Sequence, residues 1–259
     1  MSRIGQDGVA QIGQLQERAA RAVPAAVEEH RDGCWLRHTD SRTTWWAGAA
    51  LLHGRGPMRD LAGSIGVAED FYAAHGEPAR FQVCPACPPG LDDALTRRRY
   101  AVGDAVSLQV AASEQIARHR SAPSLSADRT EQPDAAWFQL LMRAHGTDAD
   151  PAPQWRLIQR VGRPSAYATV SISGRPVAVG RAVADTGWVG VFDMATLPAA
   201  RRRGAAGAVL ASLADWAIGQ GCSQLYLQVL RNNPGALDLY RRAGFEEAGV
   251  YHYRTASPS

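Results

Sequence analysis

Lysine is absent from this chain. Its 28 basic residues are all arginines, set against 25 carboxylates for a formal net charge of +3. So small an excess excludes the strongly basic balance of a dedicated nucleic-acid binder. The clusters at Arg97, Arg98, Arg99 and at Arg118, His119, Arg120 lack interleaved aromatics and any recognised motif, and read as solvated helix surface. No run of about 18 apolar residues occurs, which excludes a membrane-spanning helix. The stretch from Met1 to Asp7 has none of the basic, apolar and small-residue order of a signal peptide. The expectation is a soluble cytoplasmic protein with neither nucleic-acid nor membrane partners.

Cysteine is scarce: Cys34, Cys84, Cys87 and Cys222 are the full set. Cys84 and Cys87 have the spacing of half a zinc site or of a redox dithiol, but no second closely spaced pair follows. Two reduced cysteines at a strand end, with no metal, are expected. Apolar residues make up 46% of the 259 positions. That share supports real cores, and the length admits one large domain or two ordinary ones.

From position 118 to 134 the sequence is rich in proline and small polar residues, and residues 121–133 are expected to be a linker. Beyond it, alternation predicts strands at 165–173 and 176–184, joined by a hairpin at Gly174 and Arg175, and a third at 188–196. Ala208, Val209, Leu210, Leu213, Trp216 and Ala217 share one face of a helix over 204–219. A strand at 224–230 precedes a helix over 234–243, with Asn233 as N-cap, Pro234 in its first turn and Gly244 as its stop. Positions 245–253 would close the sheet as one or two strands.

The first half has a matching end. The run from Asp70 to Gly76 corresponds to that from Asp215 to Gly221; Phe81, Gln82, Val83 to Leu227, Gln228, Val229; and the run from Leu95 to Tyr100 to that from Tyr240 to Phe245. The offset is about 145 residues, the mark of an internal repeat. Between Trp45-Trp46 and Asp70, however, the first half has Gly54-Arg55-Gly56-Pro57, with proline and no Arg-x-x-Gly-x-Gly/Ala before a helix.

That loop is the strongest chemical signal in the second half. Met194, Ala195 and Thr196 end an apolar strand; Arg201, Arg202, Arg203, Gly204, Ala205, Ala206 and Gly207 lead into an apolar helix. Backbone N–H groups at a helix start favour anions, and Gly204 and Ala206 leave room for a pyrophosphate. A second motif follows: Asn233, Ala236, Leu239, Tyr240, Gly244 and Phe245, in the pattern Asn-x-x-Ala-x-x-Leu-Tyr-x-x-x-Gly-Phe.

In this order, with a strand between them, the two motifs resemble those of the GNAT superfamily of N-acetyltransferases. The resemblance covers residues 155–254 and implies an α/β (α+β) fold. With the repeat, it implies two tandem GNAT-like domains, each a mixed, mostly antiparallel sheet flanked by helices: a degenerate one at 1–120, the linker 121–133, and an N-acetyltransferase domain at 134–259. It further implies acetyl-CoA as co-substrate, with one active site per chain. The backbone of Met194, Ala195 and Thr196 would pair with the pantetheine arm. The loop Arg201, Arg202, Arg203, Gly204, Ala205, Ala206, Gly207 would hold the pyrophosphate, and Asn233 would either bind the arm or merely cap its helix. Tyr240, touching the cofactor sulfur, would protonate the leaving thiolate or else pack as core.

The resemblance also asks for a general base on the strand before the loop, where Asp193 is the carboxylate available. Asp193 is expected to be that base or to pair with an arginine; His252 is the reserve. The acceptor is expected to be a small-molecule primary amine attacking the thioester directly, with Trp45 and Trp46 as pocket wall or as core of the first half. A protein or peptide acceptor and a noncatalytic acetyl-CoA-binding module are the alternatives. A monomer or a homodimer is expected.

Overall fold

Alternating apolar residues and left-handed turn residues set most of the secondary structure seen in a computed structural model of the chain, which describes residues 6–39, 41–52, 60–119, 125–146 and 149–257. In chain order the elements are α1 (Gln6–Ala22), β1 (Val27–Arg31), β2 (Cys34–His38), β3 (Ala50–Leu51), α2 (Leu61–Ala74), β4 (Arg80–Val83), α3 (Leu91–Arg97), β5 (Ala101–Val102) and β6 (Val106–Ala112). Then come α4 (Ser113–Arg118), β7 (Ala127–Thr130), α5 (Ala135–His145), α6 (Ala152–Gln159), β8 (Ser165–Ile172), β9 (Arg175–Asp185), β10 (Trp188–Thr196), α7 (Ala205–Gly219), β11 (Gln224–Leu230), α8 (Pro234–Ala243) and β12 (Glu246–Thr255). They form two compact units. One comprises Met1–Leu108, Leu230–Asn232 and Ala248–Ser259; the other comprises Gln109–Val229 and Asn233–Glu247.

In the first unit the strands run in the order β1-β2-β3-β4-β12. The β3–β4 pair is parallel, and β1–β2, β2–β3 and β4–β12 are antiparallel. Leu36, Ile65, Phe71, Phe81, Leu91 and Leu95 fill the core between this sheet and α2 and α3. The chain's last strand therefore lies in the first unit, with His252 opposite Val83 and Thr255 opposite Arg80. A division at 134–259 puts that strand in the second domain. Arg254 explains its actual place: buried, it donates to the Asp92 carboxylate at 2.8 Å, to the Tyr100 carbonyl at 3.2 Å and to the Thr96 hydroxyl at 2.9 Å. A guanidinium out of water needs that set of acceptors.

The second unit orders its strands β11-β10-β9-β8-β7. All these neighbours pair antiparallel except β10 and β11, which are parallel. The β8–β9 hairpin turns on Ser173 and Gly174, both at positive φ, one residue earlier than alternation predicts. Thr186 and Gly187 repeat the device between β9 and β10. This two-residue turn matches the twist of the strands it joins. Within the expected linker, Ala127–Thr130 is an edge strand pairing with β8, a correction to the reading of 121–133 as a connector. Its mostly exposed polar side chains suit an edge and hide it from an apolar-period search. Residues 121–124, Arg120 and the 54–59 stretch of the first half lie outside the described residues.

Each unit ends a helix in the same way. In the first, Glu77 N–H donates to the Tyr72 carbonyl and Tyr100 N–H to the Leu95 carbonyl; in the second, Cys222 N–H donates to Ala217 and Phe245 N–H to Tyr240. Tyr72 and Ala217, like Leu95 and Tyr240, stand 145 residues apart. No described helix is long and apolar enough to cross a membrane.

Hydrogen bonding from Arg254, aided by His252, holds the Asp92 carboxyl below the usual carboxylate range. A group whose folded pKa is depressed adds stability above its unfolded value, near pH 4, and loses it as pH falls through the folded value. Urea midpoints measured below about pH 4 should therefore fall more steeply for the wild type than for Asp92→Asn.

Candidate functional site

Helix α7 begins without a cap. Gly204, its N-cap residue, sits at φ 82° and contributes no side-chain hydrogen bond, and the first turn holds no acid. Asn233, Asp60 and Asp134, by contrast, cap α8, α2 and α5 through side-chain oxygens. The first backbone bond into α7 is from Ala208 N–H to the Gly204 carbonyl. Among the described residues, nothing accepts from the N–H groups of Ala205, Ala206 or Gly207. Arg202 also takes a left-handed φ of 59°, and Arg201, Arg202 and Arg203 are exposed. Bare N–H groups at a helix start favour anions, and here three exposed guanidinium groups stand in the turn before them.

The strand leading to this turn parts from its neighbour. The parallel pairing of β10 with β11 runs from Trp188 opposite Gln224 to Val191 opposite Leu227 and stops there, although both strands continue. On its other side β10 stays paired, with Ala195 opposite Val179 and Thr196 opposite Ala178. The register slips between Phe192 and Ala195 at a bulge, where Asp193 takes a φ of 52°. Aspartate tolerates that conformation better than most residues. Met194, Ala195 and Thr196 therefore border a cleft in the sheet.

The two faces of the sheet here differ. On the one toward α7, Met194, Val209 and Leu213 press so closely on Gly180 of β9 that a Cβ there would lie 2.5 Å from the Met194 sulfur. On the other, Phe192 and Tyr226 meet edge to face at 6.0 Å. Gly190 makes room for the pair, since a Cβ would sit 2.5 Å from the Phe192 ring and 2.6 Å from the Tyr226 hydroxyl oxygen. Arg181, 1% exposed, lies with its guanidinium carbon 5.0 Å from the Phe192 ring centre and donates from Nε to Asp193 Oδ2 at 2.7 Å. Gln154 reaches Asp193 Oδ1 at 3.5 Å. Asp193 thus takes up the arginine pairing, and one carboxylate oxygen is held by it. Burial raises the pKa of the nearby Tyr167, with the Asp193 charge adding to the effect and Arg181 opposing it.

Tyr240 is buried in the core beneath α8 and meets Phe245 edge to face at 5.8 Å. Its hydroxyl meets no hydrogen-bond partner among the described residues. Burial pushes its pKa up to about 12, so at neutral pH the group is a proton donor. Asn233 Oδ1 accepts from Ala236 N–H at 3.1 Å, as a helix cap does. His252 is in the first unit, where its Nε2 lies 2.9 Å from Asp92 Oδ1. Trp45 packs edge to face on Tyr253, also in the first unit, and Trp46 is half-buried. Cys84 and Cys87 follow β4 as thiols with sulfurs 3.8 Å apart; among the described residues no group of three or more His, Cys, Asp or Glu is placed to hold a metal. Sequence reading passed over Arg181, Phe192, Gln154 and Tyr226. A lone arginine in the apolar strand from Pro176 to Ala184 was the available signal, because such a charge needs a partner.

Residues 134–245 match the model of the acetyltransferase (GNAT) family. Over that segment the chain is similar to GNAT acetyltransferases. Enzymes of this family take their acetyl group from acetyl-CoA. A protein called uncharacterized N-acetyltransferase YobR, from Bacillus subtilis strain 168, is 26% identical over 245 residues, covering 94% of this chain and 98% of that one. Among solved structures, a GCN5-related N-acetyltransferase from Kribbella flavida superposes with a TM-score of 0.73 at 18% identity, over 97% of this chain and 96% of its own. A tandem GNAT protein from the clavulanic acid biosynthesis pathway, solved without AcCoA, superposes with a TM-score of 0.62 at 14% identity, over 100% and 98%. At those identities the likeness establishes the fold.

The buried pair of Arg181 and Asp193 is costly to break from one side, because the carboxylate stays behind in a poorly solvated site. Arg181→Met should lower the unfolding free energy by about 3–5 kcal/mol in urea titrations, and Arg181→Met with Asp193→Asn should recover part of it.

Proposed function

We propose that the chain acetylates a primary amine of a small molecule by direct attack on acetyl-CoA, at one active site in the second unit. The observation that carries this reading is the bare N-terminus of α7 beside the parted end of β10. The uncapped start of this 15-residue helix leaves N–H groups that a pyrophosphate would satisfy, and the open strand edge at Met194, Ala195 and Thr196 offers the backbone pairing that an amide-bearing arm requires. Acetyl-CoA supplies an activated thioester at that cleft.

The side chains around the cleft then have work to do. Asp193 Oδ1 receives the proton of the attacking amine while Oδ2 stays with Arg181, which fixes the carboxylate's direction. Tyr240 donates its phenolic proton to the departing thiolate sulfur, so each proton has a source and a destination. Asn233 keeps its cap bond through Oδ1 and has its amide nitrogen for the arm. Arg201, Arg202 and Arg203 add charge around the phosphates.

The first unit is, in this reading, a degenerate GNAT-like domain. The shared helix-end hydrogen bonds at an offset of 145 residues support it, as does the full-length likeness to a tandem GNAT protein. At that offset α2 stands where α7 does, and its N-terminus is already occupied by the Asp60 carboxylate, which accepts from Gly63 N–H. A fixed negative charge there repels a pyrophosphate. Calorimetry should therefore count one acetyl-CoA per chain. A noncatalytic binding module is the second reading, favoured by the engagement of Asp193 with Arg181.

Thiol release from acetyl-CoA across a panel of amines separates the two readings: tight binding with no amine-dependent release would end the catalytic one. Tyr240→Phe should lower kcat by about 10²–10⁴-fold with acetyl-CoA affinity unchanged, and Ala206→Glu should abolish acetyl-CoA binding while leaving the fold intact by circular dichroism.

A further inference from the structure

Strand β11 alternates strictly. Leu225, Leu227 and Val229 enter the core with α7, so Tyr226 and Gln228 point to the opposite face. Leu227 is the last β11 residue paired with β10, which makes Gln228 the first one past the parting of the strands. Its amide nitrogen is buried, and among the described residues nothing accepts a hydrogen bond from it. A sealed, unpaired amide donor opposes folding, and methionine or leucine would fill the same volume without that penalty.

A ligand group explains the glutamine. The face toward α7 is packed, with Val191, Leu227 and Val229 in one core with Val209 and Leu213 of α7, so an acceptor has to approach the cleft from the side of Phe192, Tyr226, Asp193 and Gln228. A buried N–H donor calls for an oxygen acceptor on the incoming molecule. A carboxylate there would need a cation, and the guanidinium that packs on Phe192, that of Arg181, is already paired with Asp193. A neutral oxygen needs none.

We infer that Gln228 is a specificity-determining residue that donates from Nε2 to a neutral oxygen, a hydroxyl or an amide carbonyl, carried by the acceptor close to its amine. This deepens, and rests on, the reading of the second unit as a small-amine acetyltransferase. It makes amino alcohols and amino amides the preferred acceptors over alkylamines and polyamines. Asp193 addresses the nitrogen, and Gln228 reads the oxygen beside it.

The test compares the full-length wild type with Gln228→Met. Matched probes are ethanolamine with propylamine and glycinamide with isobutylamine, followed by thiol release and by thermal unfolding with and without each amine at saturating CoA. The wild type should favour the oxygen-bearing member of each pair, and Gln228→Met should lose about tenfold of that ratio in kcat/KM, the worth of one hydrogen bond. Without amine, Gln228→Met should unfold at the same temperature as wild type or higher, and ethanolamine should raise the transition of the wild type alone. A ratio unchanged by the substitution overturns the inference. So does a drop of more than about 4 °C in the variant without ligand, because it would reveal a structural partner for the amide. If the wild type acetylates none of the amines, the acceptor class under Proposed function fails, and the ethanolamine-dependent shift alone decides for or against Gln228.

Discussion

The second unit depends on a ladder of hydrogen bonds that stops early. Beyond Val191 and Leu227, β10 and β11 no longer bond to each other, yet neither strand ends. Backbone groups left without partners oppose folding unless water or a ligand takes them. The surrounding elements answer that constraint. The hairpins at Ser173-Gly174 and Thr186-Gly187 keep β8, β9 and β10 in register up to the parting. The bulge at Asp193 follows directly on the last β10 residue paired with β11, and α7 packs Val209 and Leu213 into one core with Val191 and Leu227.

Much of this was legible in the sequence because it is local. Alternation gives β8 to β11, and Asn233, Pro234 and Gly244 delimit α8 at its observed residues. The loop from Arg201 to Gly207 announces itself by glycine, alanine and arginine between a strand and a helix. What stayed hidden is either nonlocal or too polar to show a period. The pairing of Arg181 with Asp193 spans two strands, and the bulge that permits it leaves no mark in composition. The edge strand at Ala127–Thr130 pairs through its backbone while its side chains remain mostly exposed.

The ion pair also clarifies what kind of surface the cleft presents. A buried guanidinium behind a carboxylate makes the local charge balance close to neutral while leaving a directional oxygen at the front. Two aromatic rings and an amide complete that side. Geometry rather than net charge then governs what fits, and an interaction of this type weakens little with added salt because it is shielded from mobile ions.

The last strand has a separate consequence. Ala248–Ser259 completes the first unit, but the ribosome makes it after every residue of the second. On a nascent chain, β4 waits with one edge open while some 160 residues are added, which at about 5–20 residues per second takes roughly 8–32 seconds. The amino-terminal unit, first to be synthesised, is the last to finish folding. An exposed edge held that long is where a chaperone or a neighbouring nascent chain would find this protein.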